Sequence, residues 1–299
     1  MRKEINAVSD FSNTVLNIMF VIIAACCLAP LLLVISVSFS DETNLSLYGF
    51  SFIPKKFTLY AYRYIFAGAE RVFRGYGVTI LVTVIGTCLS VLITAMFAYP
   101  LSRKSFRYRR HFMLYLFITM LFNAGLVPWY LVYARVLNLR NSLAVLIIPY
   151  LVNGFHVIVM RTYFTITVND SILESAKIDG AGELRIFLKI ILPLSKAGLA
   201  TIGLFSSVGY WNDWWLSLIF ITDKKLISLQ YLMYIVQLNI QYITSNVQLS
   251  SVAGAQMIKL PAQSARMAMC VIGMGPIIMA YPFFQRYFVS GLTIGAVKG

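Results

Sequence analysis

Apolar and polar residues alternate along this chain in long blocks, not at the three-to-four-residue spacing of a soluble amphipathic helix. A first apolar run extends from about Val15 to Phe39, and a polar connector over 40–75 follows, with Pro54 and the basic residues Lys55, Lys56, Arg63, Arg71 and Arg74. Later runs cover about Tyr76 to Leu101, a stretch beginning near Phe112, then about Ser142 to Tyr163, Ala197 to Ile221 and Met267 to Tyr287. A spanning helix needs about 20 mostly apolar residues. The pattern therefore predicts an all-α membrane protein with six transmembrane helices. Proline removes a backbone donor, so Pro30 predicts a bend in the first helix and Pro149 a kink in the fourth, while Gly125 and Pro128 interrupt the third. After the fifth helix a polar outer connector is expected to reach Ala265, with Pro261 as a stop near its end.

Composition agrees with this pattern. Of 299 residues, 59% are hydrophobic and 12% charged, outside the range of soluble domains. The net charge of +14 would suit nucleic acid, but the basic residues lie between apolar runs, where they face lipid headgroups and set orientation. No basic pattern with interleaved stacking aromatics points to nucleic acid. Arg103, Lys104, Arg107, Arg109 and Arg110 crowd one short loop, which places that loop in the cytoplasm. With six spans both termini are then cytoplasmic. Cys26, Cys27, Cys88 and Cys270 all fall in apolar runs and read as small hydrophobes, not as a disulfide frame or a metal site. Ile23-Ala24-Ala25-Cys26 has the form of a lipoprotein cleavage box, but the apolar run continues through Val37, so the segment reads as a spanning helix.

One polar island interrupts the membrane-like pattern, Ser171 to Pro193, with Glu174, Lys177, Asp179, Glu183, Arg185 and Lys189. It reads as two short helices and a hinge. Ser171 and Glu174 fit a capping box at the start of the first helix. Gly180 suits the left-handed residue that ends it, and Pro193 stops or kinks the second. Within the fifth span, Tyr210-Trp211-Asn212-Asp213-Trp214-Trp215 holds Asp213, the one carboxylate placed inside a span. A buried charge of this kind faces a cavity or a partner. Trp rings beside hydrogen-bonding groups suit sugars; the alternative is a hydrogen-bonded knot inside the bundle, and both readings stand. His156, in the fourth span, reads as a packed residue before a proton relay.

The island resembles the signature loop of permease subunits of binding-protein-dependent ABC importers, E-A-A-x-x-x-G, nine residues, then I-x-L-P. Here Glu174-Ser175-Ala176, Gly180 and Ile190-Ile191-Leu192-Pro193 occupy those places, with Ser175 for the first Ala. Ile178-Asp179-Gly180-Ala181, the Trp211-Asn212-Asp213 triplet and the ending Phe284-Gln285-Arg286-Tyr287-Phe288-Val289 with Gly295 to Gly299 resemble the maltose-type carbohydrate permeases, in the branch serving complex oligosaccharides. That resemblance runs from about Tyr76 to the end. Val168-Asn169-Asp170 stands where such permeases often have Pro before the island.

The resemblance implies a type I ABC importer permease fold in a bacterial inner membrane. It also implies three segments: residues 1–75 as the first helix and outer connector, 76–288 as a permease core with coupling helices at 171–193, and 289–299 as a cytoplasmic tail. The implied partners are a second permease subunit in a heterodimer, two ATPase subunits, an extracytoplasmic solute-binding protein and an oligosaccharide. Glu174, Ser175, Ala176, Asp179, Gly180, Ala181 and Pro193 would couple to the ATPase. Trp211, Asn212, Asp213 and Trp214 would lie on the substrate path, and the connector from Asp223 to Ala265 would meet the binding protein. Gly295 and Lys298 in the tail would contact the ATPase subunits, the alternative being a tail that grazes the membrane surface. The chain has no Gly-Lys pair, so it lacks the phosphate-binding G-x-x-x-x-G-K-[ST] loop. It is expected to be a non-catalytic translocation subunit with no cofactor or metal of its own, ATP and magnesium belonging to partner ATPases. An ion-coupled secondary transporter is the alternative; it would call for internal repeats and several intramembrane ionisable groups.

Overall fold

The computed structural model describes residues 10–245 and 261–296. In chain order the helices are α1 (Asp10–Ser38), α2 (Glu42–Tyr48), α3 (Tyr60–Phe66), α4 (Ala69–Ser102), α5 (Arg109–Leu121) and α6 (Leu126–Leu131, continued by a π turn Val132–Val136). Then come two 3-10 turns within Ala144–Tyr150, α7 (Gly154–Thr167), α8 (Asp170–Ile178) and α9 (Glu183–Leu194, with a π turn at Phe187–Ile191). The remainder are α10 (Lys196–Trp211), α11 (Trp215–Phe220), α12 (Leu229–Ser245) and α13 (Ala262–Ala296).

Three stretches, Phe11–Ser38, Ala69–Ser102 and Ala262–Met279, are each long and apolar enough to cross a membrane, and three bent helix pairs bring the number to as many as six among the described residues. The bends have chemical causes. Between α5 and α6 the axis turns by 114° at Gly125, whose φ of 84° is accessible to glycine without strain. Between Ala144–Tyr150 and α7 the turn is 54°. There the chain restarts at Asn153, whose Oδ1 accepts from the Phe155 and His156 backbone N–H groups at 2.9 and 3.3 Å, satisfying donors a helix start leaves open. Between α9 and α10 it is 81°, two residues beyond Pro193.

The chain divides into two compact units. The first comprises described residues 10–69, 236–245 and 261–274. Helix α1 is apolar all round and exposed over most of its length, and it becomes buried only at Ser36, Val37 and Ser38. There Ser38 Oγ meets the Tyr62 hydroxyl at 2.9 Å, and Phe39 stacks on Phe57 and Tyr62 at 5.3 and 5.1 Å. The expected polar connector, which holds the short helices α2 and α3, is thus anchored to the end of α1 through Phe57 and Tyr62. Glu42 adds a second anchor. Its carboxylate accepts from Gln263 N at 2.8 Å, Ser264 N at 3.1 Å and Ser264 Oγ at 2.9 Å, so a negative charge caps the positive end of α13.

The second unit comprises described residues 70–235 and 275–296, and two apolar clusters hold it. One joins Ala95, Ala98 and Leu101 of α4, Leu116 of α5, and Val157, Met160 and Phe164 of α7 to Leu173, Ala176, Ile186, Phe187 and Ile191 of the polar island. The other gathers Val82, Val145, Leu146, Ile147, Tyr210, Leu216 and Phe220, with Trp129, Tyr130 and Tyr133 packed around them. Close approach is built in at Gly86, where an added Cβ would lie 2.6 Å from the Tyr210 ring.

Several boundaries differ from the sequence expectation. The fifth span is not continuous: α10 ends at Trp211 and α11 begins at Trp215. The segment expected as a polar outer connector holds the 17-residue α12; its apolar positions recur at helical spacing without forming a long apolar run. The tail, whose glycines give it little intrinsic helix propensity, nevertheless continues α13 to Ala296. Glycine costs only about 1 kcal/mol relative to Ala in a helix interior, and an established helix gains one bond per added residue.

Candidate functional site: a cavity at the broken helix and a capped turn

Two places carry the chemistry flagged in the sequence. The first is the break at 212–214. Asn and Asp compete with the helix for backbone hydrogen bonds, and both do so here. Asn212 Nδ2 donates to the Val208 carbonyl at 3.0 Å. Asp213 accepts from the Tyr150 hydroxyl at 3.0 Å and from Leu216 N at 3.2 Å, so its carboxylate satisfies a donor that the restarting helix leaves open. The Asp213 carbonyl accepts from Ser228 Oγ at 3.2 Å, and Ser217 Oγ donates to Ser228 Oγ at 2.9 Å. Trp214 stacks on Tyr234 at 4.6 Å and meets Trp215 edge-on at 5.7 Å.

Beside this break lies a cavity of about 530 Å3, within the size range of small-molecule sites, about 300–1,000 Å3. Asn212, Asp213, Trp214 and Trp215 line it from the break, Phe205, Ser206 and Tyr210 from α10, and Tyr150, Asn153 and His156 from the broken fourth span. Of the four residues placed on a substrate path by resemblance, three line the cavity. Trp211 does not: it is buried, with its ring 6.5 Å from Tyr76. Tyr150, Asn153 and Phe205 carried no sequence signal. Tyr150 and Asn153 reach the site because the fourth span breaks at Asn153, and Pro149 was the only hint of that, whereas Phe205 reaches it from α10. His156 is packed as expected, stacked on Phe205 at 6.0 Å, but its Nδ1 is buried without a hydrogen-bond partner.

The second place is the polar island. The first island helix starts not at Ser171 but at Asn169, whose Oδ1 accepts from Ser171 N at 3.3 Å. Asn caps as well as Ser and stands two residues earlier, so the capping box is not the helix start; Ser171 and Glu174 are exposed within α8. Gly180 ends α8 with φ 76°. Ala181 N donates to the Ala176 carbonyl at 2.9 Å and Gly180 N to the Lys177 carbonyl at 3.0 Å, the paired bonds of a Schellman turn. Leu173 and Ala176 face inward onto the membrane helices. Outward, on either side of the turn, Ile178 is 86% and Leu184 68% exposed; Ile178 entered the sequence reading only as part of the Ile178–Ala181 resemblance, and Leu184 was not singled out. Ser175, Asp179 and Pro193 are also exposed, and Ala181 is half-buried.

The island is tied to the end of α4. The Tyr99 hydroxyl donates to Glu183 Oε2 at 2.7 Å, and Lys177 Nζ lies 2.7 Å from Glu183 Oε1. Arg103 and Lys104 approach Asp170 at 3.5 and 3.6 Å. Of the two tail residues placed against an ATPase, Gly295 lies on the helical backbone of α13, and Lys298 lies outside the described residues.

Comparison with known proteins reaches most of the chain. Residues 65–294 match the family described as binding-protein-dependent transport system inner membrane component. A polygalacturonan/rhamnogalacturonan transport system permease protein of Bacillus subtilis, YtcP, is 36% identical over 92% of this chain and 94% of its own length. A galactooligosaccharides transport system permease protein of the same organism, GanQ, is 31% identical over 97% of this chain and 95% of its own. Among solved structures, a bacterial ABC transporter involved in the import of the acidic polysaccharide alginate superposes with a TM-score of 0.77 at 28% identity, over 96% of this chain and 100% of the matched chain. The all-α fold, the signature at Glu174 to Pro193 and these matches agree: the chain belongs to the family of binding-protein-dependent transport system inner membrane components, as a permease subunit of an ABC importer.

Proposed function

We propose that this permease translocates an oligosaccharide along a route that includes the cavity beside Asn212, Asp213 and Trp214. The observation that carries the reading is the break itself. Irregular backbone at membrane depth is tolerated where it lines a cavity or is buried in protein, and this one presents an aromatic ring, a carboxylate and an amide together. Saccharides present C–H faces that stack on rings and hydroxyls that need polar partners. The relatives named for transport of polygalacturonan/rhamnogalacturonan and of galactooligosaccharides support an oligosaccharide cargo.

The partners in this reading are a second, different permease subunit, two ATPase subunits that hold ATP and magnesium, and an extracytoplasmic binding protein. The exposed side of the Gly180 turn, with Glu174, Ser175, Asp179, Ile178 and Leu184, docks on an ATPase, and its fixed inner side passes that motion to α4 and α7. The membrane crossings number six, with both termini in the cytoplasm. Single cysteines at Lys55, Arg107, Asp223 and Lys298 in a cysteine-free background test the orientation: an impermeant thiol reagent should label the first and third from outside and the other two only after lysis. The functional test is uptake into vesicles containing the purified complex. Uptake should require ATP inside the vesicle and loaded binding protein outside, and should survive collapse of ion gradients. Uptake driven by a sodium or proton gradient without ATP would refute the reading.

A further inference from the structure

The polar groups around the cavity are mostly committed. Asp213 accepts from Tyr150 and Leu216, Asn212 Nδ2 donates to Val208, the Tyr210 hydroxyl donates to the Ile147 carbonyl at 2.9 Å, and Asn153 caps α7. His156 differs. Its ring is held flat against Phe205, with an interplanar angle of 19°, and Nδ1 is buried with no partner. A neutral imidazole carries its proton on one nitrogen. Burying an unpaired N–H costs about 1–3 kcal/mol, so the proton belongs on Nε2. His156 then brings a hydrogen-bond donor to a lining whose carboxylate offers acceptor lone pairs.

The charge inventory of the same lining narrows the ligand. Among the described residues it holds one carboxylate, Asp213, and no Lys or Arg. A sugar carboxylate entering here meets a like charge and, among the described residues of this chain, no lining cation. An uncharged sugar ring meets the face of Trp214, acceptor positions on Asp213 and a donor on His156. We propose that His156 is a saccharide-contacting residue and that this cavity takes an uncharged sugar unit. The proposal rests on the reading of the cavity as part of the saccharide route.

The test uses the whole complex, locked with ATP by a hydrolysis-deficient ATPase subunit and supplied with loaded binding protein. The probes are a radiolabelled galactose trimer and a galacturonate trimer, and the readout is the saccharide retained by the complex. The wild type should retain the galactose trimer in preference. His156→Leu should weaken that retention about 3- to 10-fold, the worth of one neutral hydrogen bond, and His156→Gln, which keeps a donor, should recover most of it. Trp214→Ala separates the two layers of the account. Weakening in Trp214→Ala with none in His156→Leu leaves the cavity on the route and overturns the role of His156. Preference for the galacturonate trimer overturns the uncharged-sugar assignment. Retention of neither trimer by the wild type overturns the reading of the cavity and the proposal together.

Discussion

Replacing Gly180 tests whether the turn after α8 transmits force. Its φ of 76° is a left-handed conformation, and nothing lies within 4 Å of the place a Cβ would occupy. The cost of a side chain there is therefore in the backbone alone: about 1–2 kcal/mol for an L-residue, less for Asn, which tolerates this region, and most for a β-branched residue. At about 1–2 kcal/mol the population of the capped turn falls by a factor of about 5–30. The inner residues Leu173 and Ala176 stay in their cluster, so loss of the cap should reorient the exposed Ile178–Leu184 side without dissolving the membrane bundle. The assay is ATP hydrolysis by the reconstituted complex, with and without loaded binding protein. Stimulation should fall in the order Gly, Asn, Ala, Val, while the amount of permease in the membrane stays constant. Wild-type stimulation in Gly180→Val would refute the reasoning, because the turn would then have no part in coupling.

Further expectations follow from single contacts. Glu42→Ala removes the charged cap of α13 and should lower the thermal stability of the solubilised complex by about 1–2 kcal/mol, with Glu42→Gln intermediate; equal melting of all three would show the cap to be inert. Gly86→Ala pushes a methyl into the Tyr210 ring, which its bond to the Ile147 carbonyl holds in place; a loss of about 1–3 kcal/mol should be measurable and partly relieved in combination with Tyr210→Phe. Tyr99→Phe deletes the bond to Glu183 and should cost about 0.5–1.5 kcal/mol, whereas Lys177→Ala, at an exposed pair, should cost at most about 1 kcal/mol; both are read from denaturation of the complex.

The long spanning helices were legible because 18 or more apolar residues in sequence have few other solutions. Gly180 was legible for an equally local reason, since a positive φ restricts the residue type. The break at 212–214 was not. Trp211, Trp214 and Trp215 keep the apolar run unbroken, and the restart depends on Tyr150 and Ser228, residues 63 and 15 positions away. Asn169 was passed over because Ser171 and Glu174 match the capping pattern as well, and only the hydrogen bond from Ser171 N decides between them. Helix α12 escaped notice because Gln230, Gln237, Asn239 and Gln241 lower its hydropathy while its apolar positions keep helical spacing. The members of the cavity from the fourth span became visible only once that span was seen to break at Asn153.

The most direct measurement is protection of a cysteine at Asn212, in a chain whose Cys26, Cys27, Cys88 and Cys270 are replaced by Ser. Asn212 is exposed and lines the cavity, so a small thiol reagent should modify it in the complex locked with ATP. Saccharide delivered by the binding protein should slow that modification about tenfold or more, the effect of occupying a site at well above its dissociation constant. Modification at the same rate with and without saccharide, or none in any transport state, would contradict the claim that the broken fifth helix lines the route.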